Sequence, residues 1–340
     1  MKIEEDIKLD FNDVLIRPKR STMSSRSEVN LERTFKFPNS GQEWTGVPVI
    51  AANMDTVGTY DVYKELSKHK IITAMHKFYS VEDYKEMDLN KEYFMVSTGI
   101  NENDLIRLKE IVSAIDVKFI CIDVANGYMS KLCEFCSKVR ELYPDKIIVA
   151  GNVVTREITE DLILRGKVDI VKCGIGPGSA CLTRTQTGVG MPQLSAIMEC
   201  SDAAHGVNGC IIGDGGITCP GDMSKAFCGG ADFVMMGGQF AGHDENPGEV
   251  IEENGGKYKL FYGMSSDTAM KTHYGKMDKY RSSEGRTIKI KYKGKLEDTV
   301  LNYLGGVRST CTYMNAKSIK NMGKCCTFVR VNRQLNTIYA

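Results

Sequence analysis

Neither sign of charge dominates this 340-residue chain: 44 Lys and Arg stand against 43 Asp and Glu, a net charge of +1. That balance gives no general pull toward nucleic acid or anionic lipid. No apolar run approaches the length of a membrane span, and the opening MKIEEDIKLDF has no apolar signal-peptide region. The expectation is a soluble, cytoplasmic protein. In that reducing setting twelve scattered cysteines read as free thiols, not as a disulfide framework. Cys133 and Cys136 make one Cys-x-x-Cys, but no second pair stands at zinc-ligand spacing. The surrounding KLCEFCSKVREL reads as helix, so packing or surface exposure accounts for the pair better than a metal. A Rossmann glycine fingerprint is also absent.

What is present is a repeat of element types. From Val47 onward come eight short apolar runs: VPVIAANM, IITAMH, YFMVSTG, VKFICIDVANG, KIIVAGNVV, DIVKCGIG, GCIIGDGG and FVMMGG. Most are separated by helical spacing, as in ENDLIRLKEIVSAI, where Leu105, Leu108, Ile111, Val112 and Ile115 share one face. Pro220 suits the first turn of another helix, with Asp222 close behind. Fully apolar strands alternating with helices imply a parallel sheet covered on its faces, and eight units suggest closure into an α/β (β/α)8 barrel. An open doubly wound sheet is the alternative, because periodicity cannot see closure. The chain is read as a single barrel domain over residues 1–340. Its opening segment, KLDFNDVLIRPKRSTMSSRSEVNLERTF, is read as irregular. An insertion over residues 243–306 is read as a flap or lid at the C-terminal face, with a hairpin turning at Asn254-Gly255 and a further strand in TIKIKYKG.

The chemistry centres on KCGIGPGSACLTRTQTGVG, residues 172–190. A strand opens there into a glycine-rich loop that carries Cys181 among small and hydroxyl residues, with Arg184 three positions on. A thiol attacks well when it is partly exposed and its thiolate is favoured by nearby cations or amide donors. Asp214-Gly215-Gly216 and Gly237-Gly238 end the seventh and eighth runs, where barrels commonly hold phosphate on exposed amides. Tight turns alone explain either pair as well; both pairs together favour a phosphorylated substrate. Asp214 would repel phosphate, and a carboxylate there suits ribose hydroxyls.

Gly-Pro-Gly-Ser-x-Cys-x-Thr-Arg followed by Thr-Gly-Val-Gly resembles the cysteine loop of the IMP dehydrogenase and GMP reductase family, and the likeness runs from about Leu9 to Arg330. KLDFNDVLIRPKRS, AANMDTVGTY, FYGMSSDTAM, YRSSEGRT and LGGVRSTCTY look like its reductase branch. The resemblance favours the barrel and implies NADPH-dependent reductive deamination of GMP to IMP through a covalent cysteine thioimidate. It makes Cys181 the nucleophile, with Thr183 and Glu284 as a proton-transferring pair. It places the nucleotide along Asp214, Gly215, Gly216, Gly237, Gly238, Gly263, Met264, Ser265, Arg281, Ser282, Ser283, Glu284 and Gly285. It places NADPH against Ser25, Arg26, Lys77, Asp123, Val124, Ala125, Tyr280 and Arg281, with Ser309, Thr310, Cys311 and Thr312 reaching in from a neighbour in a homotetramer. Gly176, Gly178, Cys181 and Arg184 would hold potassium. Lys77 and Arg26 suit a 2′-phosphate on charge grounds. Two residues depart from the family pattern: Leu182 stands where threonine is usual, and Met191 where reductases commonly have tyrosine. The oxidising branch, taking IMP and NAD, and a nucleotide-binding barrel without catalysis are the other readings.

Overall fold

The computed structural model describes residues 1, 3–274 and 283–332. Eight parallel strands close into a barrel: β1 (Val49–Ala51), β2 (Ile72–Met75), β3 (Phe94–Thr98), β4 (Phe119–Asp123), β5 (Ile147–Val153), β6 (Ile170–Cys173), β7 (Cys210–Asp214) and β8 (Phe233–Met236). Each lies inside one of the eight apolar runs. Closure is made by β8 pairing with β1, Val234 opposite Val49 and Met235 opposite Ile50. The pleat sends alternate side chains to opposite faces. Ile50, Ile72, Met95, Phe119, Cys121, Val149, Ile170, Ile212 and Phe233 fill the interior. Val49, Met75, Val96, Ile120, Ile148, Val171 and Val234 pack outward into a second core. Burial on both faces is why these strands read as continuous apolar runs.

Helices follow the strands in turn: α1 (Tyr60–Leu66), α2 (Val81–Glu86), α3 (Glu102–Ala114), α4 (Ser130–Leu142), α5 (Arg156–Leu164), α6 (Gln193–Gly206), α7 (Pro220–Cys228) and α8 (Leu296–Met314). In α3 the buried stripe is Leu105, Leu108 and Ile111. Pro220 opens α7, and Asp222 accepts from the amide and hydroxyl of Thr218, at 3.0 and 2.6 Å. Cys133 and Cys136 are buried on α4, and all twelve cysteines are free. Among the described residues no helix is long and apolar enough to cross a membrane.

The opening segment is not irregular throughout. Arg33–Phe37 and Gln42–Gly46 form an antiparallel hairpin. Phe35, Phe37 and Trp44 on its buried face join the interior barrel core, with Phe35 stacked on Phe233 at 4.3 Å and Trp44 edge-on to Phe119 at 6.2 Å. The Trp44 indole donates to the Glu92 carbonyl at 2.7 Å. Each of these strands is only five residues long, and the alternation in RTFKF and QEWTG is too brief to stand out among basic and serine-rich neighbours.

Between β8 and α8 lies a small antiparallel sheet, β9 (Ile251–Glu253), β10 (Gly256–Tyr262) and β11 (Thr287–Lys291), with a helix at Asp267–Tyr274. Asn254 (φ 50°) and Gly255 (φ 77°) make the hairpin turn, both in the left-handed region that such a turn requires. The insertion ends earlier than expected. Residues 296–306 belong to α8, where Leu296, Val300 and Tyr303 are buried and the Leu296 amide donates to Glu245 at 3.0 Å.

Candidate active site

The C-terminal ends of the strands open on a cavity of about 390 Å³. Cys181 lines it, half-buried, on the loop that leaves β6. Its Sγ lies 3.2 Å from Oγ1 of Thr183, and that hydroxyl donates to Oε2 of Glu284 at 2.7 Å. Thr183 begins a short helix, Thr183–Thr187, while Glu284 comes from the strand-like segment before β11, so the contact spans 101 residues of sequence. Backbone contacts fix this approach. The Leu182 amide donates to the Glu284 carbonyl at 2.6 Å, the Arg286 amide donates to Ala180 at 3.0 Å, and Cys181 bridges Gly285. The Arg286 guanidinium adds two bonds to the Ser179 carbonyl, at 3.0 and 2.8 Å. Leu182 engages the insertion through its amide, which a change of side chain leaves intact. Met191 likewise acts through its carbonyl, which accepts from Arg184 at 2.6 Å.

Gly215, Gly216, Gly237 and Gly238 line the same cavity. Gly215 and Gly216 have φ of 85° and 80°, and a Cβ on either would stand 3.2 Å from the Pro177 ring. A Cβ on Gly238 would stand 3.1 Å from the Ser179 hydroxyl. Three loops therefore meet closely because side chains are missing between them. The amides of Gly178, Ser179, Gly216 and Gly237 meet no acceptor among the described residues, so this corner is a cradle of free N–H donors. Gly263, Met264, Ser265 and Gly285 also line the cavity. Ser283 stands beside it, its hydroxyl donating to the Gly285 carbonyl at 2.8 Å. Arg281, Ser282 and Tyr280 lie outside the described residues.

Asp123, Val124 and Ala125 form another wall of the cavity. Burial pushes the Asp123 carboxyl up, but the Lys172 ammonium outweighs it and holds the group below the usual carboxylate range. Lys77 follows β2 and contributes to the field at Asp123. Ser25, Arg26 and Ser309 to Thr312 do not line the cavity. The turn Arg26–Glu28 packs on α8, and Arg308 donates to the Val29 carbonyl at 2.5 Å, so the two segments meet each other instead. Cys311 is fully buried, and burial pushes its thiol up to about 12. Its side chain cannot touch a cofactor, because the third residue of that run falls on the inner face of α8. The hydroxyls of Ser309 and Thr312 donate to carbonyls of α8 itself, and Thr310 reaches Ser224 at 2.9 Å.

At the proposed cation loop, Gly176 and Gly178 line the cavity and Arg184 packs over Gly176, where a Cβ would stand 2.6 Å from the arginine Cγ. The Gly178 carbonyl already accepts from Cys181, and that of Arg184 from Gly188, both at 3.0 Å. Sequence reasoning passed over Asn152 and Lys172, which bridge β4, β5, β6 and β7 beneath the cavity. Lys172 was legible as a lysine inside an apolar run at an inward position; Asn152 carried no such signal.

Residues 8–335 match the family model described as IMP dehydrogenase / GMP reductase domain. The chain is 56% identical over 343 residues to GMP reductase 1 of Mus musculus, covering 99% of each chain. It is 55% identical over 344 residues to GMP reductase 1 of Homo sapiens, covering 100% of this chain and 99% of the relative. With GMP reductase of Enterobacter sp. (strain 638) it shares 56% over 345 residues, again 100% and 99%. A closed eightfold barrel, a half-buried thiol at its C-terminal mouth and a full-length match agree: this chain belongs to the IMP dehydrogenase / GMP reductase family.

Proposed function

We propose that this protein reduces GMP to IMP, releasing ammonia, with NADPH as the hydride source. The observation that carries the reading is the line Cys181 Sγ, Thr183 Oγ1, Glu284 Oε2, with steps of 3.2 and 2.7 Å, beside a cradle of free amides suited to phosphate. The relatives named GMP reductase support the choice of branch.

Cys181 attacks C2 of the purine, and the 2-amino group leaves as ammonia while C2 becomes bonded to sulfur. Thr183 and Glu284 deliver the proton that the departing nitrogen needs, because an amide anion is far too basic to leave unaided. The sulfur then departs as C2 is reduced, which regenerates the thiolate. NADPH, when bound, supplies the hydride to C2.

NADPH suits the wall formed by Asp123, Val124 and Ala125. Asn152 Oδ1 there is buried and has no partner among the described residues, which leaves an acceptor for an amide or hydroxyl donor of the cofactor. Lys77 supplies positive charge on that side. Ser25, Arg26, Ser309, Thr310 and Thr312, packed together away from the cavity, would reach the cofactor jointly from a neighbouring subunit of a homotetramer, with Cys311 held in the core beneath them. Gly176, Gly178, Cys181 and Arg184 would hold potassium through carbonyl oxygens, each with a lone pair to spare. Residues 243–295, with Glu284 on them, act as the flap.

Absorbance at 340 nm tests the reaction directly. NADPH should be consumed with GMP, with ammonia and IMP appearing in equal amounts. Reduction of NAD with IMP and no turnover of GMP would move the protein to the oxidising branch. Binding of GMP without either turnover would make it a binding module.

A further inference from the structure

Lys172 occupies a position in β6 that a barrel normally fills with a hydrocarbon side chain. It points inward, two residues after Ile170, and its side chain is 3% exposed. Nζ donates to Oδ1 of Asp123 at 2.5 Å and to Oδ2 of Asp214 at 3.1 Å. Asn152 completes the group, its Nδ2 donating to the same Asp214 oxygen at 2.8 Å and to the Gly174 carbonyl, where the cysteine loop begins, at 2.7 Å. The contact is built for closeness: a Cβ on Gly151 would lie 2.6 Å from Lys172 Cβ and 2.4 Å from its carbonyl. A β-bulge between Gly151 and Val153 marks the same place.

Burying an ammonium is costly unless it is paired and hydrogen-bonded, and here it is paired twice. The two carboxylates face different parts of the cavity. Asp214 leads into Gly215 and Gly216, and its Oδ1 meets no donor among the described residues. Asp123 leads into Val124 and Ala125, with Asn53 and Lys77 on its other side. Cys121 is the remaining titratable neighbour of Lys172, and burial keeps it a neutral thiol, its pKa pushed up to about 12. With the lysine the trio carries one net negative charge. Without it two bare carboxylates would stand beside a phosphate cradle.

We propose that Lys172 is a positioning residue shared by two ligand sites, holding Asp214 for the nucleotide ribose and Asp123 for the cofactor as one electrostatic unit. The assignment of ligands to those walls rests on the function proposed above. Lys172 itself touches no reacting atom.

The test uses Lys172→Met, which keeps the volume and removes the charge, and Lys172→Met with Asp123→Asn. Kd for GMP and for NADPH are read separately by calorimetry, and kcat at saturation alongside. Lys172→Met should weaken both ligands by about 100-fold, the scale of breaking a buried ion pair, while kcat falls by less than about tenfold, since the cysteine relay is untouched. The double variant should bring GMP affinity back to within about tenfold of wild type without restoring NADPH, because the uncompensated charge opposite Asp214 is gone. A lysine that merely fills the barrel would leave both Kd values unchanged in Lys172→Met, or would lower kcat and both affinities with no recovery in the double variant. Either result overturns the proposal. Should Lys172→Met not fold, Asp123→Asn alone decides: its GMP Kd should shift by at least about threefold, and no shift refutes the coupling. Turnover of GMP by the wild-type protein reports on the reaction itself, so failure of that reading is seen independently of the Kd pattern.

Discussion

Replacing Thr183 with valine removes one hydroxyl from the proposed proton path and little else. The two side chains have nearly the same shape, and Thr183 also contributes a carbonyl that accepts from Thr187, which the substitution keeps. Its hydroxyl makes two contacts at once, 3.2 Å to Cys181 Sγ and 2.7 Å to Glu284 Oε2. Hydrogen bonds to charged groups contribute about 1.5–3 kcal/mol each. If one is felt in the transition state for ammonia release, the loss is about 2 kcal/mol, or about 30-fold; both together give about 1000-fold. That range overlaps the about 10²–10⁴-fold typical of a general acid. The assay is rapid quench of ammonia from enzyme and GMP, with GMP Kd measured in parallel and expected within about threefold of wild type. Glu284→Gln should match or exceed the defect, since an amide can accept from Thr183 but cannot carry the proton. Ammonia release in Thr183→Val within about threefold of wild type would refute the relay, because the proton would then travel by another route.

Cys181→Ala should reduce turnover by at least about 10⁴-fold while GMP binding, read by calorimetry, stays within about threefold. His76 carries a pH dependence. Burial lowers its pKa from 6.5 to about 4, with Asp55 opposing and His273 assisting, and its neutral Nδ1 accepts the Phe78 amide at 3.2 Å. The unfolded chain binds that proton more readily, so stability from this group is full above about pH 6.5 and is lost as pH falls toward 4, by roughly 3 kcal/mol in all. Urea midpoints across that window should show the decline, and His76→Phe should flatten it. Trp44→Ala should cost about 3–5 kcal/mol by emptying the floor of the barrel, seen as a lower Tm, with the mouth-side Kd for GMP little changed.

The barrel strands were legible because burial on both faces leaves a continuous apolar run, and runs such as KIIVAGNVV admit few other readings. The hairpin of the insertion was legible for a different reason: Asn254-Gly255 is one of few pairs that adopt two successive left-handed residues cheaply. The plug of Phe35, Phe37 and Trp44 was not, since its strands are short and its partners, Phe119 and Phe233, lie far along the chain. The boundary of the insertion was misplaced because Leu296 and Val300 bury against elements that no local pattern reveals.

The sequence by itself determined the elements, the family likeness and the chemical character of the cysteine loop, because strand periodicity and loop composition are local properties. Only the tertiary structure decided which distant groups share a charge or a proton. Glu284 meets Thr183 across 101 residues, and Lys172 reaches Asp123 across 49 and Asp214 across 42. Closure of the cylinder brings those strand ends to one rim, and the energy of an ion pair or hydrogen bond depends on separation in space, which chain order alone does not contain.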